Sequence, residues 1–432
     1  MSQTTEATTQ QAPSASKMLA MLGMAVVVGA LAAVFSSIFL WLVEEGQLFV
    51  FREIPHVLGL DAVPWWWVGI LLLVAAGLVY LARKMPGATG AGPLTGFHFD
   101  YQLRVVPSVL IAAFASLVGG VALGPEAPLI VLGTAVAAIL TIGRKPEIRK
   151  AMMFVGGTAA ISAVFGNPFI TAFMILEFVA LGLAPAALLL PVLTALASSY
   201  LVSIGIWSIP GLGVHSLAVP GLPEYPSIQP GDLLAALAVA VVAAVVALLA
   251  RGGGAFVDRL SQKWSTPVLF GAAIVTTVVL LIGEGLGITP DLILFSGNSG
   301  MATLITQTSV GLVILILLAK GIAYSVALGG GFRGGPIFPV TFLGVGVGVL
   351  GHLILPNVSV SALAAAGIAA SAAAFLKLPA TSAMLGALLI AGTGAAIAPF
   401  AIFGAVVGFA IRLGADARAP KLEQVSSDGA SA

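Results

Sequence analysis

The sequence contains no cysteine, which excludes a disulfide framework, a thiolate nucleophile and a cysteine-ligated metal. Its histidines form no pair of the kind that binds zinc, because none lies four residues from another. They are His56, His98, His215 and His352. We therefore expect neither a resident metal nor a cofactor.

Charge is scarce as well. Charged residues make up 8% of the 432 residues, whereas hydrophobic residues make up 59%. A soluble domain carries about a quarter charged residues, so this chain lacks the means to cover a water-exposed surface. The formal net charge of +1, without a basic stripe, argues against a nucleic-acid partner. The composition is that of a polytopic protein of the lipid bilayer, and its Ala/Gly-rich character suggests a prokaryotic plasma membrane.

The first two apolar runs are predicted to span the membrane. Residues 18–43 are too long for a signal peptide and lack a cleavage site of small residues. A second run begins with three tryptophans at Trp65, typical of a membrane interface, and ends at Arg83 and Lys84. Because positive charge favours the cytoplasmic side, we expect the N-terminus and the Arg83 end to be cytoplasmic.

Later apolar runs are shorter and are interrupted by glycine and proline. Residues 129–142 and 169–181 fall short of the roughly 20 residues needed to cross about 30 Å of hydrocarbon. Non-helical backbone survives at membrane depth only where it is buried in protein or lines a wet cavity. Broken helices that meet near the midplane are typical of transport sites.

The chain contains an internal repeat at an offset of 211 residues. This shift places residues 124–128, Gly-Pro-Glu-Ala-Pro, on residues 335–339, Gly-Pro-Ile-Phe-Pro. The same offset pairs further glycines and prolines: Gly133 with Gly344, Gly156 with Gly367, and Pro168 with Pro379. We therefore predict an all-α polytopic membrane protein with two structural repeats of broken, partly spanning helices. We expect the repeats to be inverted, although identity alone does not decide it.

This repeat divides the chain into five predicted parts. They are a disordered N-terminal tail (1–17), a first transmembrane repeat (18–207), a Pro/Gly-rich connecting loop (208–230), a second transmembrane repeat (231–413) and a short polar C-terminal tail (414–432). We expect no soluble regulatory domain in so short a tail.

The two Gly-Pro elements predict two helix starts. Proline is favourable at the first helical position, so Pro125 and Pro336 are expected to begin helices directly after glycine-rich loops. A helix start offers free N–H groups and the positive end of the helix dipole to an anion. Glu126 would then lie at the anion site, where its carboxylate competes with a substrate anion and leaves on protonation. Alternatively, Glu126 only stabilises the first turn of its own helix.

These residues resemble the CLC family of chloride channels and anion–proton antiporters. Residues 124–128 are similar to the family's Gly-Lys/Arg-Glu-Gly-Pro element, with Glu126 on its gating glutamate, and residues 335–339 to its Gly-x-Phe-x-Pro element. Residues 167–177 resemble its Asn/Ser-x-Pro…Glu helix. The resemblance covers about residues 18–413 and implies a homodimer with one pathway per subunit, in which helix N-termini coordinate the anion.

The candidate site follows from the motifs together with this resemblance. The anion would meet the backbone amides of Glu126, Ala127, Ile337 and Phe338, and those of Ala91 and Gly92, which match the family's Gly-Ser-Gly-x-Pro loop loosely. The supporting residues are Gly124, Pro125, Pro128, Gly335, Pro336, Pro339 and Arg333. Arg333 would either attract anions to the mouth or neutralise loop carbonyls. Lys320 and Lys377 are expected to reach a membrane interface, and Glu177 to make structural hydrogen bonds at a helix end.

The sequence departs from the family pattern at several points. Both motifs have proline at the second position, so the Lys/Arg charge and one N–H are missing there. Ile337 replaces the family's phenylalanine, Ala91 its hydroxyl-bearing serine and Phe178 its internal glutamate. No tyrosine follows Tyr324, so the late pore-lining tyrosine has no counterpart. The anion and its coupling to protons therefore stay open.

Several functions are compatible with this reading. The leading hypothesis is a channel-like or weakly proton-coupled transporter of chloride or a similar small anion, gated by Glu126. The alternative is an anion–proton antiporter, including one for fluoride or nitrate, with an unusual proton path. A secondary carrier outside the family is a third hypothesis. An intramembrane enzyme is disfavoured, because we find no Ser/His pair, Asp pair or metal motif in the helices.

Overall fold

The computed structural model describes residues 15–60, 63–87, 89–209 and 219–418. Within these residues the fold is all-helical, and its only β-type pairing is an isolated bridge. The helices are α1 (Ala15–Leu48), α2 (Ile54–Val57), α3 (Trp65–Ala82), α4 (Val106–Val118), α5 (Glu126–Leu140), α6 (Pro146–Phe165), α7 (Pro168–Ala180), α8 (Leu189–Trp207), α9 (Pro230–Lys263), α10 (Ser265–Gly285), α11 (Pro290–Ile293), α12 (Met301–Ile305), α13 (Val310–Gly329), α14 (Ile337–Ile354), α15 (Val360–Leu376), α16 (Pro379–Leu388) and α17 (Ala398–Arg418).

The arrangement combines long and short apolar helices. Nine helical segments of the described chain are long and apolar enough to cross a membrane, and four further apolar helical segments of 10–17 residues are too short. The short ones are Leu103–Val118, Glu126–Leu140, Pro168–Ala180 and Val360–Leu376. They include both runs expected to be broken helices. The fold is therefore the predicted polytopic one with partly spanning helices.

The ends of the chain add detail to the predicted division. Helix α1 begins at Ala15, so residues 15–17 of the expected N-terminal tail are helical, and residues 1–14 lie outside the described part. Helix α17 ends at Arg418, inside the expected C-terminal tail, of which residues 419–432 are not described. In the connecting loop, residues 219–229 are described and Pro230 already begins α9.

The 211-residue offset reappears as matching backbone geometry. Gly120 and Gly331, which the offset pairs, both have a left-handed backbone, with φ of 86° and 91°. Gly166 ends α6 in the left-handed region at φ 63°, and Lys377 ends α15 at the same φ of 63°. A lysine there is strained relative to glycine. Two equivalent chain reversals thus follow the same path in both repeats.

The repeats also share a helix crossing that excludes side chains. A Cβ atom on Gly133 of α5 would lie 2.1 Å from the carbonyl oxygen of Gly156 in α6. The equivalent Cβ on Gly344 of α14 would lie 2.5 Å from the carbonyl oxygen of Gly367 in α15. Such small residues let membrane helices approach closely. The paired glycines found in the sequence are therefore the contact points of equivalent helix pairs.

Helix α9 connects the two faces of the protein. Its 34 residues span about 51 Å at 1.5 Å per residue, which exceeds the hydrocarbon thickness. Just after its end, the Ser265 hydroxyl accepts a 2.7 Å hydrogen bond from Arg83. Just before its start, the Pro223 carbonyl accepts a 2.6 Å bond from Ser361 of α15. We call the first side the basic face, after Arg83, Arg144, Lys145, Lys150 and Lys263, and the second the opposite face.

Helices α5 and α14 leave the centre of the protein in opposite directions. Helix α5 runs from Glu126 to the basic face, where Lys150 of the next helix lies 3.8 Å from Asp100. Helix α14 runs from Ile337 to the opposite face, where α15 starts beside Pro223. The two repeats are therefore inverted, as expected.

Candidate functional site

The two glycine-rich loops meet through a reciprocal pair of backbone hydrogen bonds. The N–H of Gly124 donates to the carbonyl of Gly335 at 2.7 Å, and the N–H of Gly335 donates to that of Gly124 at 2.5 Å. The bridge is antiparallel and joins two residues that the offset pairs, so a local twofold axis passes between them. Because α5 and α14 begin two residues later, their N-termini lie side by side.

The helix starts differ from the prediction by one residue. Pro125 and Pro336 are the N-cap residues, and the first helical residues are Glu126 and Ile337. Neither proline could donate an N–H at either position. The capping side chain is absent at both starts. The free amides of the first turn are therefore available to another acceptor.

That acceptor is the carboxylate of Glu126. The side chain is 1% exposed, and its Oε1 accepts a 2.9 Å hydrogen bond from the N–H of Phe338, in the first turn of α14. The other oxygen, Oε2, is buried and has no hydrogen-bond partner in the described part of the chain. The carboxylate of one repeat thus lies at the helix start of the other, where a small anion would be favoured. We call this position the gate site, after the gating role that the resemblance implies for Glu126.

Two glycines make room for the gate site. A Cβ atom on Gly124 would lie 2.1 Å from Oε2 of Glu126, and a Cβ on Gly335 would lie 1.8 Å from it. No real Cβ contact is that short, so the bridged glycines are required by the space that the carboxylate occupies. Of the remaining motif residues, Pro128 and Pro339 are buried in the first turns of α5 and α14.

A cavity lies on each side of the gate site. The inner cavity, of about 270 Å³, is lined by Glu126, Ala127 and Pro336 and by residues near Lys377 and Arg412. The outer cavity, of about 240 Å³, is lined by Leu123, Pro125, Phe338 and Asn298 and by Glu44 of α1. The inner cavity lies towards the basic face and the outer one towards the opposite face. Glu126 lines the first cavity and Phe338 the second, so the gate site lies between the two.

The loop of Ala91 and Gly92, which matches the family's loop loosely, lines the inner cavity, whereas Arg333 does not line it. Ala91 and Gly92 line the cavity together with Tyr101, and burial raises the pKa of the Tyr101 hydroxyl, which therefore stays protonated as a donor. The Nε of Arg333 donates to the Thr89 carbonyl at 2.9 Å and its Nη2 to the Gly90 carbonyl at 3.3 Å. These contacts are the ones expected if Arg333 neutralises loop carbonyls.

Lys320 was expected at a membrane interface, and this expectation is wrong. The side chain is 0% exposed. Its ammonium group donates to three successive carbonyls, those of Ile293 at 3.2 Å, Leu294 at 2.6 Å and Phe295 at 2.9 Å. Phe295 lines the outer cavity and donates its N–H to Gly120 at 3.0 Å. Lys320 therefore fixes a loop of the outer cavity.

Tyr324, one helical turn after Lys320, is a site residue that the sequence reasoning missed. It is fully buried, and its hydroxyl donates to the carbonyl of Pro336 at 2.8 Å. Its ring lies 5.9 Å from that of Phe375, which lines the inner cavity. The signal in the sequence was the spacing of Lys320 and Tyr324, which puts two polar groups on one face of an apolar helix.

Glu177 and Phe178 occupy the positions that the resemblance assigns to two glutamates. The carboxylate of Glu177 accepts from the N–H groups of Ala380 at 2.6 Å and Thr381 at 2.8 Å, and from the Thr381 hydroxyl. It thereby stabilises the start of α16, which is the structural role expected of it. The ring of Phe178 lies 5.8 Å from that of Phe97, in an aromatic cluster.

A carboxylate held at paired helix starts, between two cavities of an inverted-repeat helical protein, defines an anion-transport protein of the CLC type. The family model described as "Voltage gated chloride channel" matches residues 90–413. The chain therefore belongs to this family.

Related chains and structures are consistent with this assignment. One relative is the ion-transport protein YfeO of Escherichia coli (strain SE11). It is 26% identical over 359 residues, which cover 80% of this chain and 82% of YfeO. The structure of a slow cyanobacterial Cl⁻/H⁺ antiporter matches with a TM-score of 0.74 at 18% identity, covering 92% of this chain and 95% of that one. A CLC-type fluoride/proton antiporter matches with a TM-score of 0.73 at 19% identity, covering 93% and 97%. At these identities the two structures are evidence of a shared fold.

Proposed function

We propose that the chain moves chloride or a similar small inorganic anion through the gate site, from one cavity to the other. The observation that carries the proposal is the hydrogen bond from the N–H of Phe338 to the Glu126 carboxylate. A negatively charged group already occupies the N-terminus of α14, so the site accepts an anion without a full positive charge. The carboxylate and the anion then compete for the same amides.

Glu126 acts as the gate in this proposal. While its carboxylate is bound to the start of α14, it fills the space between Gly124 and Gly335 and separates the cavities. Protonation removes the charge that the helix start favours, so the side chain leaves and an anion takes its place. The transport is channel-like or weakly coupled to protons, since Phe178 offers no group that could hand a proton to Glu126.

A second candidate, an anion–proton antiporter, has one observation in its favour. Glu126 itself lines the inner cavity, together with His98 and Tyr101, so water in that cavity could reach its carboxylate. A proton would then travel through water rather than through the missing internal carboxylate. The solved structures with the same fold include Cl⁻/H⁺ and fluoride/proton antiporters.

The surroundings of the protein belong to the proposal as well. Since basic residues concentrate on the cytoplasmic side of membrane proteins, the basic face is cytoplasmic and the inner cavity opens to the cytoplasm. The membrane is the plasma membrane of a prokaryote. Two copies of the chain form a homodimer, as the family resemblance implies, and each copy carries its own gate site.

Anion efflux from proteoliposomes, recorded together with external pH, tests the proposal. The wild type should release chloride, and Glu126→Gln, which keeps the shape but lacks the charge, should abolish the pH dependence of the flux. Glu147→Gln, which neutralises an exposed carboxylate at the start of α6, is the matched control and should leave flux unchanged.

The proton signal separates the two candidates. Proton movement in fixed proportion to anion movement identifies an antiporter, and anion movement without it identifies a channel-like path. A wild-type protein that moves neither halide nor nitrate would contradict both.

A further inference from the structure

The mouth of the inner cavity carries a surplus of positive charge. Arg251 of α9, Arg412 of α17 and Lys377 line the cavity that ends at Glu126. Asp416 lies 2.6 Å from the ammonium group of Lys377 and 2.9 Å from Nε of Arg412. Near the mouth, one carboxylate thus faces three cations, and the gate site needs none of them.

Arg251 differs from Arg412 and Lys377 in its polar contacts. It is half-buried, and its guanidinium makes no hydrogen bond or ion pair with any residue in the described part of the chain. Its carbon Cζ lies 5.7 Å from the ring centre of Phe375, which itself lines the cavity. A partly desolvated guanidinium with unused donors is costly unless an anion meets it. Arg412, by contrast, donates to Asp416 and to the carbonyl of Ala374.

Arg251 lies deeper in the protein than the cytoplasmic end of α9. It precedes the end of α9, Lys263, by 12 residues, which corresponds to about 18 Å along the helix. An anion that approaches the gate site from the basic face therefore passes Arg251. Because the membrane interior screens charge poorly, the attraction between the anion and Arg251 is stronger there than it would be at the protein surface.

The cavity also has room for an anion larger than a halide. Its volume is about 270 Å³, several times the volume of about 30 Å³ that one water molecule occupies in liquid water. The planar guanidinium presents parallel N–H donors that match two oxygens of an oxyanion, whereas a halide is a single acceptor. Charge, unused donors and space therefore coincide at one place.

We propose that Arg251, with Arg412 beside it, forms a second anion-binding site in the inner cavity, suited to a small planar oxyanion such as nitrate. The site holds the anion before it enters the gate site. This inference rests on the proposed transport function, because it assigns a specificity-determining residue to the same pathway.

The test compares Arg251→Gln with the wild type in oriented proteoliposomes on a solid-supported membrane. We measure the nitrate and chloride concentrations that give half-maximal current, applied separately to the basic face and to the opposite face. Loss of a charge-assisted bidentate contact should raise the half-saturating nitrate concentration on the basic face about tenfold. The value for the opposite face should not change. Arg259→Gln, which removes an exposed arginine of the same helix, is the control and should leave both values unchanged.

Arg251→Lys separates charge from donor geometry. It keeps the positive charge but lacks the planar fork, so chloride should recover wild-type half-saturation while nitrate stays several-fold weaker. Equal recovery of both anions would overturn the oxyanion assignment. This comparison decides the question even where the glutamine variant fails to fold, which size-exclusion chromatography reports.

Three outcomes separate a failure of this inference from a failure of the proposed function. A wild type that transports neither anion refutes the proposed function itself. A wild type that transports both, with Arg251→Gln at wild-type half-saturation on the basic face, refutes only the second site. A loss of the same size in Arg259→Gln also refutes it, because the effect then reflects general surface charge.

Discussion

The bridged glycines allow the anion path to be tested by adding a single methyl group. In Gly335→Ala the new Cβ would lie 1.8 Å from Oε2 of Glu126 and 2.5 Å from its carboxyl carbon. An ordinary contact between such atoms is about 3.5 Å, so the carboxylate must retreat by roughly 1.5 Å. This movement breaks the 2.9 Å bond to the N–H of Phe338.

An anion in the place of the carboxylate would meet the same methyl group and lose its own contact with the N–H of Phe338, so the size of the effect follows from that lost interaction. A hydrogen bond to a charged group contributes about 1.5–3 kcal/mol, which corresponds to roughly a tenfold to hundredfold change in occupancy. Because the methyl group fills the space that an anion needs, we expect Gly335→Ala to lower anion flux at least tenfold. The assay is chloride efflux from proteoliposomes.

A second variant, Glu126→Ala, shows whether the methyl group obstructs the carboxylate or the anion. In Glu126→Ala the carboxylate is gone, so a methyl group at Gly335 can act only on the anion. We expect the flux of this variant to fall by a similar factor when Gly335→Ala is added. Gly77→Ala is the control, because nothing lies within 4 Å of its Cβ position. An unchanged flux in the double variant would refute the argument, since the anion would then pass elsewhere.

Two further predictions concern the polar residues of α13. Lys320→Met leaves the three carbonyls of residues 293–295 without their donor, so the protein should lose about 3 kcal/mol or more of stability, seen as a lower Tm in detergent. Lys377→Met, whose side chain is 49% exposed, should lose under about 1 kcal/mol, and equal losses would contradict the role of Lys320. Tyr324→Phe removes the hydroxyl that donates to the Pro336 carbonyl, so it should lower chloride flux severalfold. The ring keeps its contact with Phe375, so the protein should still fold. Tyr200→Phe, whose hydroxyl has no bond within the described chain, should match the wild type, and an equal effect in both would show that the Tyr324 hydroxyl does not position the gate site.

The sequence predicted the repeat and its broken helices because both leave local marks, whereas the identity between the repeats did not decide that they are inverted. Glycine and proline at a fixed offset report positions where the backbone turns, caps a helix or approaches another backbone. Gly133 and Gly156, for example, are glycines because their helices cross too closely for a Cβ atom. The matching pair in the other repeat follows from the same geometry. Such constraints act on single residues, so they can be recognised in the sequence before the fold is known.

The partners of the buried polar residues were not predictable in the same way. Lys320 bonds to carbonyls of residues 293–295, and no pattern in those residues announces that their carbonyls converge. A single lysine in an apolar run is equally compatible with a membrane interface. Tyr324 precedes the second motif in the sequence, yet the chain folds back after α13 so that its hydroxyl reaches the Pro336 carbonyl. Long-range contacts of this kind depend on the complete fold.

The architecture of the site restricts how it can open. The bridge between Gly124 and Gly335 holds the starts of α5 and α14 together through two backbone hydrogen bonds, and water is not at hand inside the membrane to replace them. Separating the helices would therefore expose four polar groups, at a cost of several kcal/mol. Rotating the side chain of Glu126 breaks the bond from the N–H of Phe338, whereas Oε2 has no hydrogen-bond partner to lose in the described part of the chain. Opening by movement of the side chain, with the two helix starts fixed, is thus the route of lower cost. In the proposed transport, the amides at the two helix starts would therefore keep their place whether the carboxylate or an anion occupies them.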